Sequence, residues 1–196
     1  VSGPVVSDDK QQPDQAAWRL LQSGEVINET IRADESGGAA RFQILMKTTV
    51  ENIWDVIYSC ENAFVYLDGL RSCEVLEDDG LTTLTRQVVK TSWLVPAQDF
   101  TFRTERQPFS RADFVRTTGS PKVMEGSWQF DQLPEGVLVS HEIRIKPFLP
   151  VPRFLIRRLM RNSMPEMLRC MRSMAGGSLA EAQKKQDAQS CPERKR

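Results

Sequence analysis

Apolar residues in the stretch 151–175 recur at helical spacing. At 100° per residue, Ile156, Leu159, Met160, Met164, Met167, Met171 and Met174 share one face. Arg157, Arg158, Arg161, Arg169 and Arg172 fall on the other, and Ser163 and Cys170 are small residues inside the apolar arc. Methionine is unbranched, so a face carrying five of them suits a pliable lining better than a tight jigsaw. Pro165 lies inside this stretch, where it removes a backbone hydrogen bond. Ser163 and Glu166 offer a capping box beside it, so a kink or a restart of the helix is expected near residue 163. Gly176-Gly177 ends the helix.

Upstream the period changes from helical to two. Phe100 and Phe102 alternate with Thr101 and Arg103, and Trp128 and Phe130 with Ser127 and Gln129. Val139, His141, Ile143 and Ile145 alternate with Ser140, Glu142 and Arg144. Such alternation gives a strand one dry and one wet face, as in an antiparallel sheet. Strands are predicted over 25–32, 40–48, 70–77, 81–92, 99–107, 113–118, 124–131 and 137–146. Asp78-Asp79-Gly80, Phe109-Ser110-Arg111 and Pro134-Glu135-Gly136 supply turns. Thr48 or Thr49 caps a helix carrying Ile53, Trp54, Ile57 and Tyr58, and a further helical turn covers 61–66. A short helix over 14–23 carries Trp18, Leu20 and Leu21. The order predicts an α+β fold: a curved antiparallel sheet with helices on one side, closed by the long C-terminal helix. Such a grip either fills its interior with side chains or holds a cavity.

A chain of 196 residues with 40% hydrophobic content fits one domain. Its expected limits are a flexible segment 1–13, a folded domain 14–177 and a disordered tail 178–196. Twenty-six basic and 26 acidic residues balance, so nucleic acid is not an expected partner. From residue 150 onward, however, eleven basic residues face four acidic ones. That polarity is a solvated helix face and tail, or a contact with an anionic membrane surface. No run of 18 apolar residues provides a membrane-spanning helix. The chain opens Val1-Ser2-Gly3 without a Met, which fits a removed leader. Cys60 and Cys73 flank a helix-to-strand connection and are either bridged or reduced; a bridge implies an oxidising compartment. Cys170 reads as a small core residue, and Cys191 lies in the tail.

Three motifs resemble the START-like superfamily of polyketide cyclases, coenzyme Q-binding proteins and lipid-transfer domains. They are Thr49-Val50-Glu51-Asn52-Ile53-Trp54-Asp55-Val56-Ile57, Tyr66-Leu67-Asp68-Gly69-Leu70 leading into Cys73-Glu74-Val75, and Glu125-Gly126-Ser127-Trp128-Gln129-Phe130. With the long terminal helix, the resemblance covers roughly residues 25–175. It implies a helix-grip fold, in which a sheet of about seven strands wraps the C-terminal helix around a hydrophobic cavity. The chain looks most like bacterial lipid-transport members. Its Cys60 and Cys73 resemble cysteines of exported relatives, which implies a periplasmic or cell-envelope location, with the cytoplasm as the alternative.

His141 is the only histidine and lies on a dry strand face. It is a hydrogen-bonded core residue, a contact for a ligand head group, or a general base. No nucleophile elbow, metal-binding pair or phosphate loop accompanies it, so no catalytic residue, metal ligand or cofactor is assigned. Arg86 shares a face with Leu84 and Val88 and is a buried cation or a surface charge according to register. Glu142 and Arg144 are expected to pair weakly with each other. The candidate ligand-lining set is Trp93, Phe100, Phe102, Phe114, Trp128, Phe130, His141, Ile143, Met160, Met164 and Met167. The expected partner is a lipid, sterol or quinone, loaded through the kinked helix or the loops 93–98 and 146–153. A cyclase or dehydratase using the same cavity is the alternative. An interaction domain with a filled interior is a third reading.

Overall fold

The computed structural model describes residues 13–34, 37–90, 93–148 and 151–192. The predicted flexible segment 1–13 lies outside these except for Pro13. Helix α1 (Gln15–Gln22) starts where the Asp14 carboxylate accepts the Ala17 N–H. Strands β1 (Ile27–Asp34) and β2 (Gly37–Met46) follow. Thr49 and Ser59 then cap α2 (Val50–Ile57) and α3 (Cys60–Tyr66), each accepting the N–H three residues on. Six strands come next: β3 (Leu70–Asp78), β4 (Thr82–Val89), β5 (Gln98–Gln107), β6 (Arg111–Gly119), β7 (Val123–Leu133) and β8 (Gly136–Lys146). The C-terminal part is α4 (Arg153–Arg158), a π-helical turn (Leu159–Ser163), α5 (Met164–Met174) and α6 (Glu181–Gln189).

The strands form one eight-stranded antiparallel sheet, ordered β1-β2-β8-β7-β6-β5-β4-β3. The pairing of β2 with β8 is its one non-sequential step; Phe42 sits opposite His141 there, and Trp128 opposite His141 on the other side. On the inner face, Phe42, Ile44, Met46, Val137, Val139, Trp128 and Phe130 form one packed cluster with Met160, Met164, Met167, Leu168 and Met171. The helices are not confined to that side. Leu45 and Leu138 point the opposite way and are buried with Leu21 and Trp18 of α1. Strands β2 and β8 are therefore buried on both faces.

Two glycines set close approaches. A Cβ on Gly38 would stand 2.5 Å from the Met160 methyl, so its absence lets the helix lie close to β2. At Gly126 it would stand 2.7 Å from the Phe114 ring, which lies over that glycine.

The interruption expected near residue 163 takes the form of the π turn. A proline lacks the N–H that would bind the carbonyl four residues back and crowds that carbonyl; a wider turn relieves both. The Asn28 amide of β1 donates to the Met160 carbonyl within this turn. The Ser163–Glu166 capping box does not form, because Ser163 is itself helical and makes no capping bond.

The largest departure from the sequence reading lies beyond Gly177. The expected disordered tail contains α6, packed on α5. Arg172, assigned to the wet face, is fully buried and forms a two-pronged ion pair with Asp187 at 2.7 and 2.8 Å. Two of its remaining N–H groups reach the Gly24 and Leu45 carbonyls, and Ser178 donates to Asp187. Cys170 is not a free core thiol but is bonded to Cys191, with Cα atoms 4.7 Å apart. Cys60 and Cys73 form a second disulfide, tying α3 to β3. Arg86 lies on the outer face, half exposed, paired with Asp99. Glu142 and Arg144 do not pair with each other. Each binds across strands, Glu142 to Arg41 and Arg144 to Glu125.

Candidate functional site

The inner face of the sheet divides into two zones. The first, over β2, β8 and β7, is apolar and closed by the methionine face of the terminal helix. Phe114 and Ile143 pack against its edge. The second zone lies over β5 and β4. Phe100 is buried there and Phe102 half-buried, with ring centroids 6.1 Å apart, yet neither joins the cluster that holds the helix. Thr83, Thr85 and Thr104 are buried around them. Register puts all five on one face, since Thr83 opposes Thr104 and Thr85 opposes Phe102. These threonines were absent from the predicted set. In the run Thr82-Thr83-Leu84-Thr85, polar side chains on a strand read as the wet face, and only sheet curvature makes that face the inner one.

Further along the same face, the Arg106 guanidinium lies 5.7 Å from the Tyr58 ring and is paired with Asp78. The Tyr58 hydroxyl and the Arg106 Nε are buried with no hydrogen-bond partner among the described residues. Burial pushes the Tyr58 phenol well above its ordinary value.

His141 lies on β8 within the first zone, between Phe42 of β2 and Trp128 of β7. Its ring stacks on Trp128 with centroids 3.8 Å apart, and Phe114 and Phe42 stack at 5.9 and 6.4 Å. Nδ1 donates to the Ser127 carbonyl at 3.1 Å. Burial is the main influence on the ring and holds its pKa down to about 4, against the weaker opposite pull of the Ser127 carbonyl. The unfolded chain takes up a proton near 6.5 while the folded chain does not until about 4. Folding stability therefore falls as pH drops through that window, by about 1.4 kcal/mol per pH unit at its steepest. Urea denaturation at pH 7 and pH 5 should show this loss in the wild type and a smaller one in His141→Phe. Equal losses would mean the ring is not buried neutral.

The predicted lining set is thus brought together in part. Trp128, Phe130, His141, Met160, Met164 and Met167 meet in or beside the apolar zone, with Phe114 and Ile143 at its border. Phe100 and Phe102 face the second zone. Trp93 belongs to neither: it is 86% exposed in the loop between β4 and β5. The methionine face is packed against the sheet rather than standing off it. A cleft of about 370 Å³ opens elsewhere, between α1 and α6, lined by Gln22, Ser23, Leu179 and Gln183, and borders none of the predicted residues.

Trp93 has company at its end of the sheet. The β4–β5 loop, the β6–β7 turn and the exit from β8 all lie at one end, as the pairings Val89 with Gln98, Phe100 with Gly119 and Val123 with Lys146 require. Leu94, Phe148 and Phe154 are 45–60% exposed there. Arg157, Arg158 and Arg161 follow on α4 and the π turn, exposed and with no ion-pair partner among the described residues. Arg169 departs from the expected basic face, being paired with Glu25. No helix among the described residues is long and apolar enough to cross a membrane.

The family described as polyketide cyclase/dehydrase and lipid transport matches residues 46–172. The chain belongs to that family. Its START-like fold recurs in solved structures of low sequence identity. Human STARD10 is 10% identical with a TM-score of 0.63, over 88% of this chain and 84% of that one. A STAR-related lipid transfer protein from Xanthomonas axonopodis is 12% identical with a TM-score of 0.61, over 76% and 98%. The Zhui aromatase/cyclase from Streptomyces sp. R1128 is 15% identical with a TM-score of 0.50, over 77% and 93%. A search of curated protein sequences gives no match. The eight-stranded sheet gripping its C-terminal helix is the helix-grip fold of these START-like neighbours. Membership makes this a fold that binds hydrophobic molecules.

Proposed function

We propose that the protein carries a lipid, sterol or quinone between its sheet and C-terminal helix, and loads it at an anionic membrane surface. The observation that carries this reading is the end of the grip where Trp93, Leu94, Phe148 and Phe154 stand exposed, with Arg157, Arg158 and Arg161 following on α4 and the π turn, exposed and without an ion-pair partner among the described residues. Large apolar side chains grouped with cations suit the interface of an anionic bilayer. Loading requires the packed methionine face to part from the sheet. The α5 end is tied by a disulfide and a buried ion pair, and the α4 end leads into a π turn whose Met160 carbonyl accepts from the Asn28 side chain. Flexible methionines can repack around a guest without leaving a void. The two disulfides support an oxidising compartment such as the periplasm or cell envelope.

The cyclase or dehydratase alternative needs a proton-transfer group. His141 is a weak base at neutral pH, since its pKa is held near 4. Native mass spectrometry of freshly purified protein, followed by solvent extraction, tests the carrier reading. The expected result is a one-to-one complex with an apolar compound, or uptake of one from a panel of phospholipid, sterol and quinone. A protein that neither retains nor takes up any of them would overturn it.

A further inference from the structure

We propose that His141 selects, among apolar molecules, those whose polar end carries a hydrogen-bond donor, a hydroxyl above all. This rests on the reading of the interior as the ligand site and narrows the choice of ligand within it. A backbone carbonyl can only accept, so the 3.1 Å contact with Ser127 fixes the proton on Nδ1. The other nitrogen, Nε2, then carries a lone pair and can only accept. Nδ1 adjoins the stem of the side chain and is bonded to the neighbouring strand. Nε2 stands at the far tip of the ring. Val139 and Phe42, which share the inner face with His141, pack toward the terminal helix, so that tip is directed away from the sheet backbone.

No described residue donates a hydrogen bond to Nε2, although the side chain is only 2% exposed. Phe42, Phe114 and Trp128 hold the ring by stacking. A donor on the guest would supply Nε2 with the hydrogen bond that no described residue makes. An alcohol fits. A quinone, ether or ketone brings only acceptors to face a lone pair. A carboxylate or phosphate brings negative charge, and burial keeps the ring from protonating to meet it. The buried hydroxyls of Thr83, Thr85 and Thr104 can donate or accept, so they do not discriminate between these classes.

Matched probes test the proposal on the full, oxidised chain: cholesterol against its methyl ether, and hexadecanol against hexadecyl methyl ether and palmitate. By titration calorimetry or competitive native mass spectrometry, each alcohol should bind about tenfold tighter than its ether. In His141→Phe, alcohol and ether should bind alike. In the wild type, the nitrogen-15 resonance of Nε2 should move when hexadecanol is added and stay put with the ether, which keeps the test independent of the variant's folding. Equal affinity for alcohol and ether in the wild type would overturn the inference, as would a preference that survives His141→Phe. A protein that binds quinone or phospholipid but neither alcohol refutes this inference and leaves the carrier reading standing. A protein that binds no apolar probe at all refutes both.

Discussion

Asp187→Ala is expected to lower folding stability by about 3–5 kcal/mol, the usual result of stripping one partner from a buried ion pair. Arg172 and Asp187 are both shielded from solvent, with side-chain exposures of 1% and 0%. Removing the carboxylate strands a guanidinium that is otherwise satisfied only by two backbone carbonyls. It also frees Ser178, whose hydroxyl donates to the same carboxylate. Asp187→Asn keeps the shape and one acceptor, so a smaller loss is expected. Replacing both partners, as in Arg172→Met with Asp187→Leu, should recover much of the stability, because no uncompensated charge remains. Chemical denaturation of the four proteins checks this order. If Asp187→Ala changes stability by less than about 1 kcal/mol, α6 is not docked as described.

Neutralising Arg157, Arg158 and Arg161 together, each to Gln, is expected to weaken binding to anionic vesicles by about a hundredfold. Each cation near such a surface contributes about 1 kcal/mol, and three contribute about 3. None of the three has an ion-pair partner among the described residues, so folding stability should hardly change. Binding of the wild type should fall as salt is raised, since these charges are exposed. Trp93→Ala should weaken binding further, because a side chain 86% exposed loses no internal packing when truncated. Co-sedimentation with vesicles of mixed neutral and anionic lipid measures both. Binding that ignores the triple substitution and the anionic fraction alike would remove the membrane from the proposed function.

Much of the architecture was legible because alternation and helical spacing are local. All eight strands and the long helix were predicted within a few residues of their ends. Methionines 160, 164, 167 and 171 fell on the buried face because their spacing alone specifies it. The same reasoning put Arg172 on the wrong side. Spacing put it opposite the methionines, but it cannot say that a second layer covers that side too. The polar composition of 178–196 signalled disorder, yet Asp187 and Cys191 gain partners only when α6 lies along α5. At the site, His141, Trp128 and Phe130 were legible from period-2 patterning, whereas Thr83, Thr85 and Thr104 were not. A threonine faces water on a flat sheet and faces inward on a curved one.

The order of its residues was enough to specify the strands, the amphipathic rod and the interruption at Pro165, because each depends on neighbours within a turn or two. Contacts between distant segments decided the rest. They set Trp93 and Phe148 at the same end of the sheet, buried Arg172 with Asp187, and left one nitrogen of His141 without a partner among the described residues. Charge pairing, curvature and exposure are properties of surfaces that meet in space, and a linear pattern carries no measure of which surfaces will meet.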